Sequence, residues 1–215
     1  MKVLITSGGT TEKIDNVRSI VNNSTGRLGC AIAEAFAAHG AQIFYVCGKN
    51  AARPKVGVNV IDIDDVASLQ SAIAKLLNEN SIDIIVHAMA VSDYRVKAVS
   101  TPHGISRDIN GKINSDHDEI ILHLEKTPKI IGMLRKMSPK STIVGFKLLD
   151  NVPRGTLIDA GYALLVKNDC DFVLANDAAE ISGETHKGYL IDKKCKYTTH
   201  GTKAEIADAI VNATT

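Results

Sequence analysis

A chain of 215 residues is long enough to bury a substantial core in one large domain without disulfide or metal staples. It is 45% hydrophobic and 23% charged, the composition of an ordinary globular protein, and its net charge of +1 supplies no field to gather nucleic acid or an anionic membrane. No Lys/Arg run interleaves with aromatics and no apolar run approaches the roughly 20 residues of a membrane helix, which counts against nucleic-acid and membrane partners. Cys30, Cys47, Cys170 and Cys195 form no CxxC pair, so zinc-ribbon and thioredoxin-like chemistry is disfavoured.

In chain order, Lys2–Thr6 is a short apolar run that stops at Ser7-Gly8-Gly9. It reads as a buried strand and a turn rather than a leader peptide, which sets the expectation of a cytoplasmic protein with reduced thiols. From Thr25 the apolar spacing changes to three and four (Leu28, Ile32, Ala35, Phe36), predicting a helix that Gly40 ends. Gln42–Val46 and Val58–Ile63 predict strands, and Val66–Leu77 a helix. Ile82–Ala88 is apolar throughout, as in a strand covered on both faces. Ser92–His117 is polar and rich in turn formers; it predicts a long loop or flap, the kind of segment that serves as a lid. Glu119–Leu124 predicts a strand, Pro128–Met137 a helix with proline at its start, Thr142–Phe146 a strand, Arg154–Val166 a helix and Phe172–Ala175 a strand. A hairpin, Gly188–Ile191 with Lys196–Thr199, precedes a last helix, Lys203–Val211.

Strands alternating with helices predict an α/β, Rossmann-like fold over residues 1–215 as a single domain. Its sheet is doubly wound and mostly parallel, with a C-terminal antiparallel edge hairpin and a mid-chain flap at about 92–118. Ligands of such sheets sit beyond the carboxyl ends of the strands, where strand order reverses. That rule selects Ser7–Thr10, Met89–Asp93, Phe146–Leu148 and Asn176–Asp177.

The segment Asn22-Asn-Ser-Thr-Gly-Arg-Leu-Gly29 leads into the first helix, where Ser24 or Thr25 can cap and the N-terminal amides favour an anion. Gly26 and Gly29, like Gly8 and Gly9 after the first strand, lack Cβ atoms and let a phosphate approach the backbone. Either segment alone reads equally as a turn and a helix–sheet contact; two at one sheet edge point to phosphate. No Walker A spacing occurs. The insertion Glu12–Val21, and Cys47-Gly48-Lys49 where an acid would hold a ribose, count against a dinucleotide. A short-chain-dehydrogenase-like NAD(P)-dependent reductase is the competing reading, carried by Ser24–Gly29. The Tyr-x-x-x-Lys spacing of that class occurs at Tyr45 and Lys49, at the end of the second strand rather than after a central one. The histidines lack a metal-ligand spacing, and no metal site is predicted.

These segments, taken in order, resemble a known family. Thr6-Ser-Gly-Gly-Thr10, Ile14-Asp15, Val17-Arg18, Asn22, Ser24–Gly29, Ala90-Val-Ser-Asp-Tyr94, Lys112-Ile113, Lys126-Thr-Pro128, Gly145-Phe-Lys-Leu148, Lys167-Asn168 and Ala175-Asn-Asp177 are similar to the phosphopantothenate–cysteine ligases (phosphopantothenoylcysteine synthetases) of coenzyme A biosynthesis, in their monofunctional bacterial form. The resemblance implies that CTP, with ATP as second choice, activates the carboxylate of 4′-phosphopantothenate as an acyl-nucleotide, releasing pyrophosphate. The amine of cysteine then displaces CMP or AMP. It further implies Mg²⁺ with the triphosphate, no FMN, a separate decarboxylase as pathway neighbour, and a homodimer.

Carried over by position, Asn22 would serve the substrate carboxylate and donate to the developing oxyanion, and Lys112 would be the lid lysine that neutralises phosphate charge. Met89, Ala90 and Asp93 would line the substrate pocket. Gly8, Gly9, Ser24, Gly26, Gly29, Phe146, Lys167 and Asn176 would line the nucleotide site. Three departures bear on CTP against ATP: Lys112-Ile-Asn-Ser115 lacks two of the usual lid cations, Gly145–Asp150 looks nearer to eukaryotic members, and Ala163 stands where the family has a lysine.

Overall fold

The computed structural model describes residues 1–102, 104–106, 111–183 and 185–215. A first strand β1 (Lys2–Ser7) is followed by a short hairpin of β2 (Thr11–Lys13) and β3 (Ser19–Val21), then α1 (Arg27–Ala38), β4 (Gln42–Gly48), β5 (Asn59–Ile63), α2 (Val66–Glu79) and β6 (Ile84–His87). Next come β7 (Tyr94–Thr101), β8 (Gly104–Ser106), β9 (Ile121–Lys126), α3 (Ile131–Met137), β10 (Thr142–Leu149), α4 (Arg154–Asn168) and β11 (Phe172–Asp177). The chain ends in β12 (Ile181–Ser182), β13 (Thr185–Asp192), β14 (Tyr197–Thr202) and α5 (Lys203–Thr214).

Six parallel strands lie side by side in the order β5-β4-β1-β6-β10-β11. The chain winds outward from β1 in one direction and from β6 in the other, so strand order reverses between them. β13 continues the sheet antiparallel to β11, and β12 and β14 pair with β13. The expected parallel sheet with an antiparallel edge hairpin is therefore the observed one.

Alternation along the strands sends side chains to two covered faces. Val3, Ile5, Tyr45, Val86, Val144 and Leu174 pack against Ile32 and Phe36 of α1 and Ile206 and Ile210 of α5. Leu4, Phe44, Val46, Ile85, Ile143 and Val173 pack against α2, α3 and α4 through Leu69, Ile73, Leu134 and Leu165. Each such fully buried aliphatic side chain contributes roughly 1.5–3 kcal/mol. This burial explains why the parallel strands read as continuous apolar runs.

Two segments differ from expectation. The insertion before α1 is the antiparallel β2–β3 hairpin, whose strands of three residues are too short to show a period. The expected flap carries two strands, β7 and β8, and β7 pairs antiparallel with β8 and with β9, near the strand expected at Glu119–Leu124, in a separate three-stranded sheet. A register irregularity between Val96 and Ala98 breaks its alternation, which is why composition alone suggested a loop. Residue 103 and residues 107–110 of that flap lie outside the described residues.

Candidate functional site

The reversal point is laced together by backbone hydrogen bonds. Ala88 N donates to Thr6 O (3.0 Å), Ala90 N to Gly8 O (2.8 Å) and Thr10 N to Ala90 O (3.1 Å), so the exits of β1 and β6 share one rim. Three buried hydroxyl residues reinforce it. Thr10 Oγ1 donates to Ser92 Oγ and accepts from Ser92 N, both at 2.9 Å, and Thr127 Oγ1 donates to Ser92 O. Asn22 arrives at this rim from β3. Its backbone N donates to Thr10 O (3.4 Å) and its Nδ2 to Ala90 O (3.3 Å). One amide N–H of Asn22 is thus committed to Ala90, and a second donor remains.

Beside Asn22 stands the N-terminus of α1. Its N-cap is Gly26 at φ 70°, a left-handed conformation that favours glycine, and no side chain caps it. The expected cap by Ser24 or Thr25 is therefore absent; Ser24 N instead donates to Asn22 O (2.8 Å). No acidic residue lies in the first turn of α1. By contrast, α2 is closed by a capping box of Asp65 with Ser68, and α5 by Thr202. The positive end of α1, with its first-turn amides, is thus neither capped by a side chain nor faced by a first-turn carboxylate, an arrangement that favours an anion.

The glycines act differently from expectation. A Cβ on Gly9 would lie 2.3 Å from Asn22 O, one on Gly29 2.3 Å from Ser7 Oγ, and one on Gly8 2.5 Å from Ala51 Cβ. For Gly26 the nearest atoms, Ala51 Cβ and Ser7 Oγ, stand at 3.0 Å. The space left by the missing Cβ atoms is taken by protein. Gly26 and Gly29 seat α1 close to the end of β1, Gly8 and Gly9 admit Ala51 and the Asn22 carbonyl, and what these glycines can offer a ligand is backbone N–H.

Phe146 and Asn176 sit farther along the rim, on the α1/α5 side of the sheet. Phe146 lies at the margin of that core, and its β-ladder partner Leu174 is two residues before Asn176. Asn176 is buried, and its Nδ2 is 3.2 Å from His186 Nε2 on β13. His186 is a polar rim residue that sequence reasoning missed, because only the β11–β13 pairing brings it there. Burial, helped by the charge of Lys203, pushes its pKa down to about 4, and its Nδ1 is buried without a partner among the described residues. Next door, the Asp177 carboxylate accepts from Asn151 N (2.8 Å), Val152 N (2.8 Å) and Ala179 N (2.9 Å), fixing the β10–α4 loop. His87 lies lower on the opposite face; it pairs with Thr6 Oγ1 at 2.8 Å, and burial pushes its pKa down to about 4. His87 is a buried residue of the sheet, not part of the rim.

The remaining predicted residues are spread out. The Met89 side chain is buried in the α2/α3 core, while Ala90 serves through its carbonyl. Asp93 is exposed and ion-paired with Lys129. Lys112 is exposed on the returning limb of the flap, which lies against the β2–β3 turn. Lys167 is not brought to the crevice: it lies in the last turn of α4, which runs from the rim back toward the far edge of the sheet. A cation there complements the helix C-terminus. No group of three or more metal-ligating side chains occurs among the described residues. The reductase pair is also engaged elsewhere. Tyr45 is fully buried, donates to Ala52 O (2.9 Å) and has its pKa pushed well up by burial, and Lys49 pairs with Asp64 (2.8 Å).

Residues 1–215 match the family described as DNA/pantothenate metabolism flavoprotein C-terminal domain. The chain is 32% identical, over 97% of its length, to the coenzyme A biosynthesis bifunctional protein CoaBC of Thermococcus kodakarensis, and covers 49% of that protein. It is 31% identical to the CoaBC protein of Methanocaldococcus jannaschii over 98% of its length, again covering 49%. The chain thus spans about half the length of the curated relatives it matches. Among solved structures, the DNA/pantothenate metabolism flavoprotein from Streptococcus pneumoniae aligns with a TM-score of 0.89 at 33% identity, over 99% of this chain and 97% of that one. The C-terminal domain of a CoaBC protein aligns at 0.77 and 25% identity, over 98% and 92%. None of these points to a nicotinamide-dependent reductase.

Proposed function

The chain belongs to the DNA/pantothenate metabolism flavoprotein C-terminal domain family, and from that membership we propose that it is a phosphopantothenate–cysteine ligase. In this reading a carboxylate oxygen of 4′-phosphopantothenate attacks the α-phosphorus of a nucleoside triphosphate and pyrophosphate leaves. The amine of cysteine then attacks the acyl carbon, the amide forms, the nucleoside monophosphate leaves and the amine proton passes to solvent. CTP is the first choice of triphosphate and ATP the second. Mg²⁺ travels with the triphosphate, whose oxygens suit a hard cation that keeps most of its water.

The observation that carries this reading is the convergence of Asn22 and the uncapped end of α1 on the crevice between β1 and β6. Two anions must meet there, so fixed dipoles and neutral donors serve better than added carboxylates. The amides of α1, with those of the Gly8–Gly9 turn, take the phosphates. The free donor of Asn22 faces the oxygen that gains charge during aminolysis. Phe146 and Asn176 border the nucleotide, and Lys112 brings a cation when the flap covers the site. Lys167 has no role in this version. The apolar side chains exposed on the flap sheet, Ile105, Ile121 and Leu124, support a homodimer through that sheet.

The test is pyrophosphate release by the purified chain with phosphopantothenate, cysteine and Mg²⁺, run with CTP and ATP side by side. Release that depends on nucleotide and on phosphopantothenate, with amide formation that depends on cysteine, is expected. No release with either nucleotide overturns the reading.

A further inference from the structure

The turn between β2 and β3 carries a carboxylate that uses both oxygens for different purposes. Asp15 is buried. Its Oδ1 accepts the backbone N–H groups of Val17 (2.8 Å) and Arg18 (2.6 Å), which closes its own turn. Its Oδ2 accepts from Arg18 Nε (3.0 Å) and from Ile113 N (3.0 Å), 98 residues away. Arg18 extends the contact, donating through a second guanidinium nitrogen to Ile113 O (2.5 Å), and Asn16 N donates to Gly111 O (3.2 Å). Backbone groups on both sides of Lys112 are thereby held by the hairpin. Burial pushes the Asp15 carboxyl up, but the N–H groups of Val17, Ile113 and Arg18 and the Arg18 charge outweigh it and hold the pKa at about 2.

The far strand of the same hairpin, β3, runs directly into Asn22. A carboxylate that only shaped its turn would need one oxygen. We infer that Asp15 is a positioning residue: through Arg18 and the Ile113 amide it sets Lys112 in register with Asn22, so that one hairpin places both the cation of the flap and the amide of the crevice. The clamp stands on the geometry; its consequence for turnover rests on the ligase reading above.

The substitution Asp15→Asn separates the two oxygens. Asparagine keeps Oδ1 for Val17 and Arg18 but replaces Oδ2 by an N–H donor, which cannot accept from Ile113 or from Arg18. The turn is kept and the clamp is lost. A second variant, Ile113→Pro, removes the same bond from the flap side and leaves the hairpin intact. Hydrogen exchange at the Ile113 amide of Asp15→Asn is expected to accelerate about tenfold or more, the effect of losing a charge-assisted bond. In both variants kcat for pyrophosphate release is expected to fall about ten- to hundredfold, with KM for cysteine within about twofold. Unchanged exchange at Ile113 overturns the clamp. Accelerated exchange with unchanged kcat in both variants overturns the positioning of Lys112 for turnover. Were the unaltered chain to release no pyrophosphate, the ligase reading would fall, and the exchange rate alone would then uphold or overturn the clamp.

Discussion

Asn22 shows how much one amide can decide. Its Nδ2 donates to Ala90 O, so it is oriented by the same backbone that joins β1 to β6. Replacing it by aspartate turns a donor into an acceptor facing a carbonyl and adds a negative charge where a substrate carboxylate must approach. The expected result for Asn22→Asp is acyl-nucleotide that forms and is not efficiently consumed, with amide formation slowed on the order of 10²–10³-fold, as for the loss of one oxyanion donor. Rapid-quench analysis with labelled nucleotide measures both steps. Normal amide formation would remove Asn22 from the second step. The residue was legible in the sequence as a turn former before a helix, and its ordered place in the family resemblance singled it out. Its tether to Ala90 was not legible, because 68 residues separate the two and only the parallel pairing of β1 with β6 makes them neighbours. His186 was invisible for the same reason: nothing local marks it, and the antiparallel β11–β13 pairing is what carries it to Asn176.

At the scale of elements, the crevice depends on how closely α1 approaches β1. Ser7 Oγ donates to Gly26 O (3.1 Å) and occupies the space a Cβ on Gly29 would need. A Gly29→Ala substitution therefore tests whether the glycine serves packing or ligand access. The methyl group meets Ser7 Oγ and Cβ, so the helix must shift outward, at a cost of about 1–3 kcal/mol for overpacking. Nucleotide affinity should fall along with it, since the α1 amides move. A double variant, Gly29→Ala with Ser7→Gly, removes both Ser7 Oγ and Ser7 Cβ, leaves the new methyl 3.6 Å from the Cα of residue 7, and should recover much of the lost nucleotide affinity. Denaturant melts and nucleotide titration of the two variants beside the unaltered chain decide the matter. Failure of the double variant to recover would assign Gly29 to the ligand instead. The sequence showed that glycines were needed here but not what they approach. The elements themselves were easier to read: apolar runs such as Val3–Ile5 mark strands buried on both faces, whereas β7 hides its period behind a bulge and polar exposed positions.

At the scale of the whole molecule, stability should fall in a pH window set by two histidines. His87 and His186 are both buried, and burial holds each pKa near 4 in the folded chain against an ordinary value of 6.5. Between those values the unfolded chain binds a proton that the folded chain refuses. Stability is therefore complete above about pH 6.5 and lost as pH falls toward 4, by up to about 1.4 kcal/mol per pH unit for each histidine. The depressed carboxylates work in a lower window. Asp15 holds a pKa of about 2, and Asp171 and Asp177 also lie below their ordinary value, so their contributions are present above about pH 4 and lost beneath it. Loss of stability between pH 6.5 and 4 thus belongs mainly to the histidines, and its sum of a few kcal/mol is a large share of the ~5–15 kcal/mol typical of a folded domain. Urea unfolding at pH 7, 6 and 5 should show the midpoint falling at each step, and His186→Gln, which cannot be protonated, should reduce the slope by about half. A midpoint that stays level from pH 7 to 5 would mean that neither histidine is held neutral by the fold.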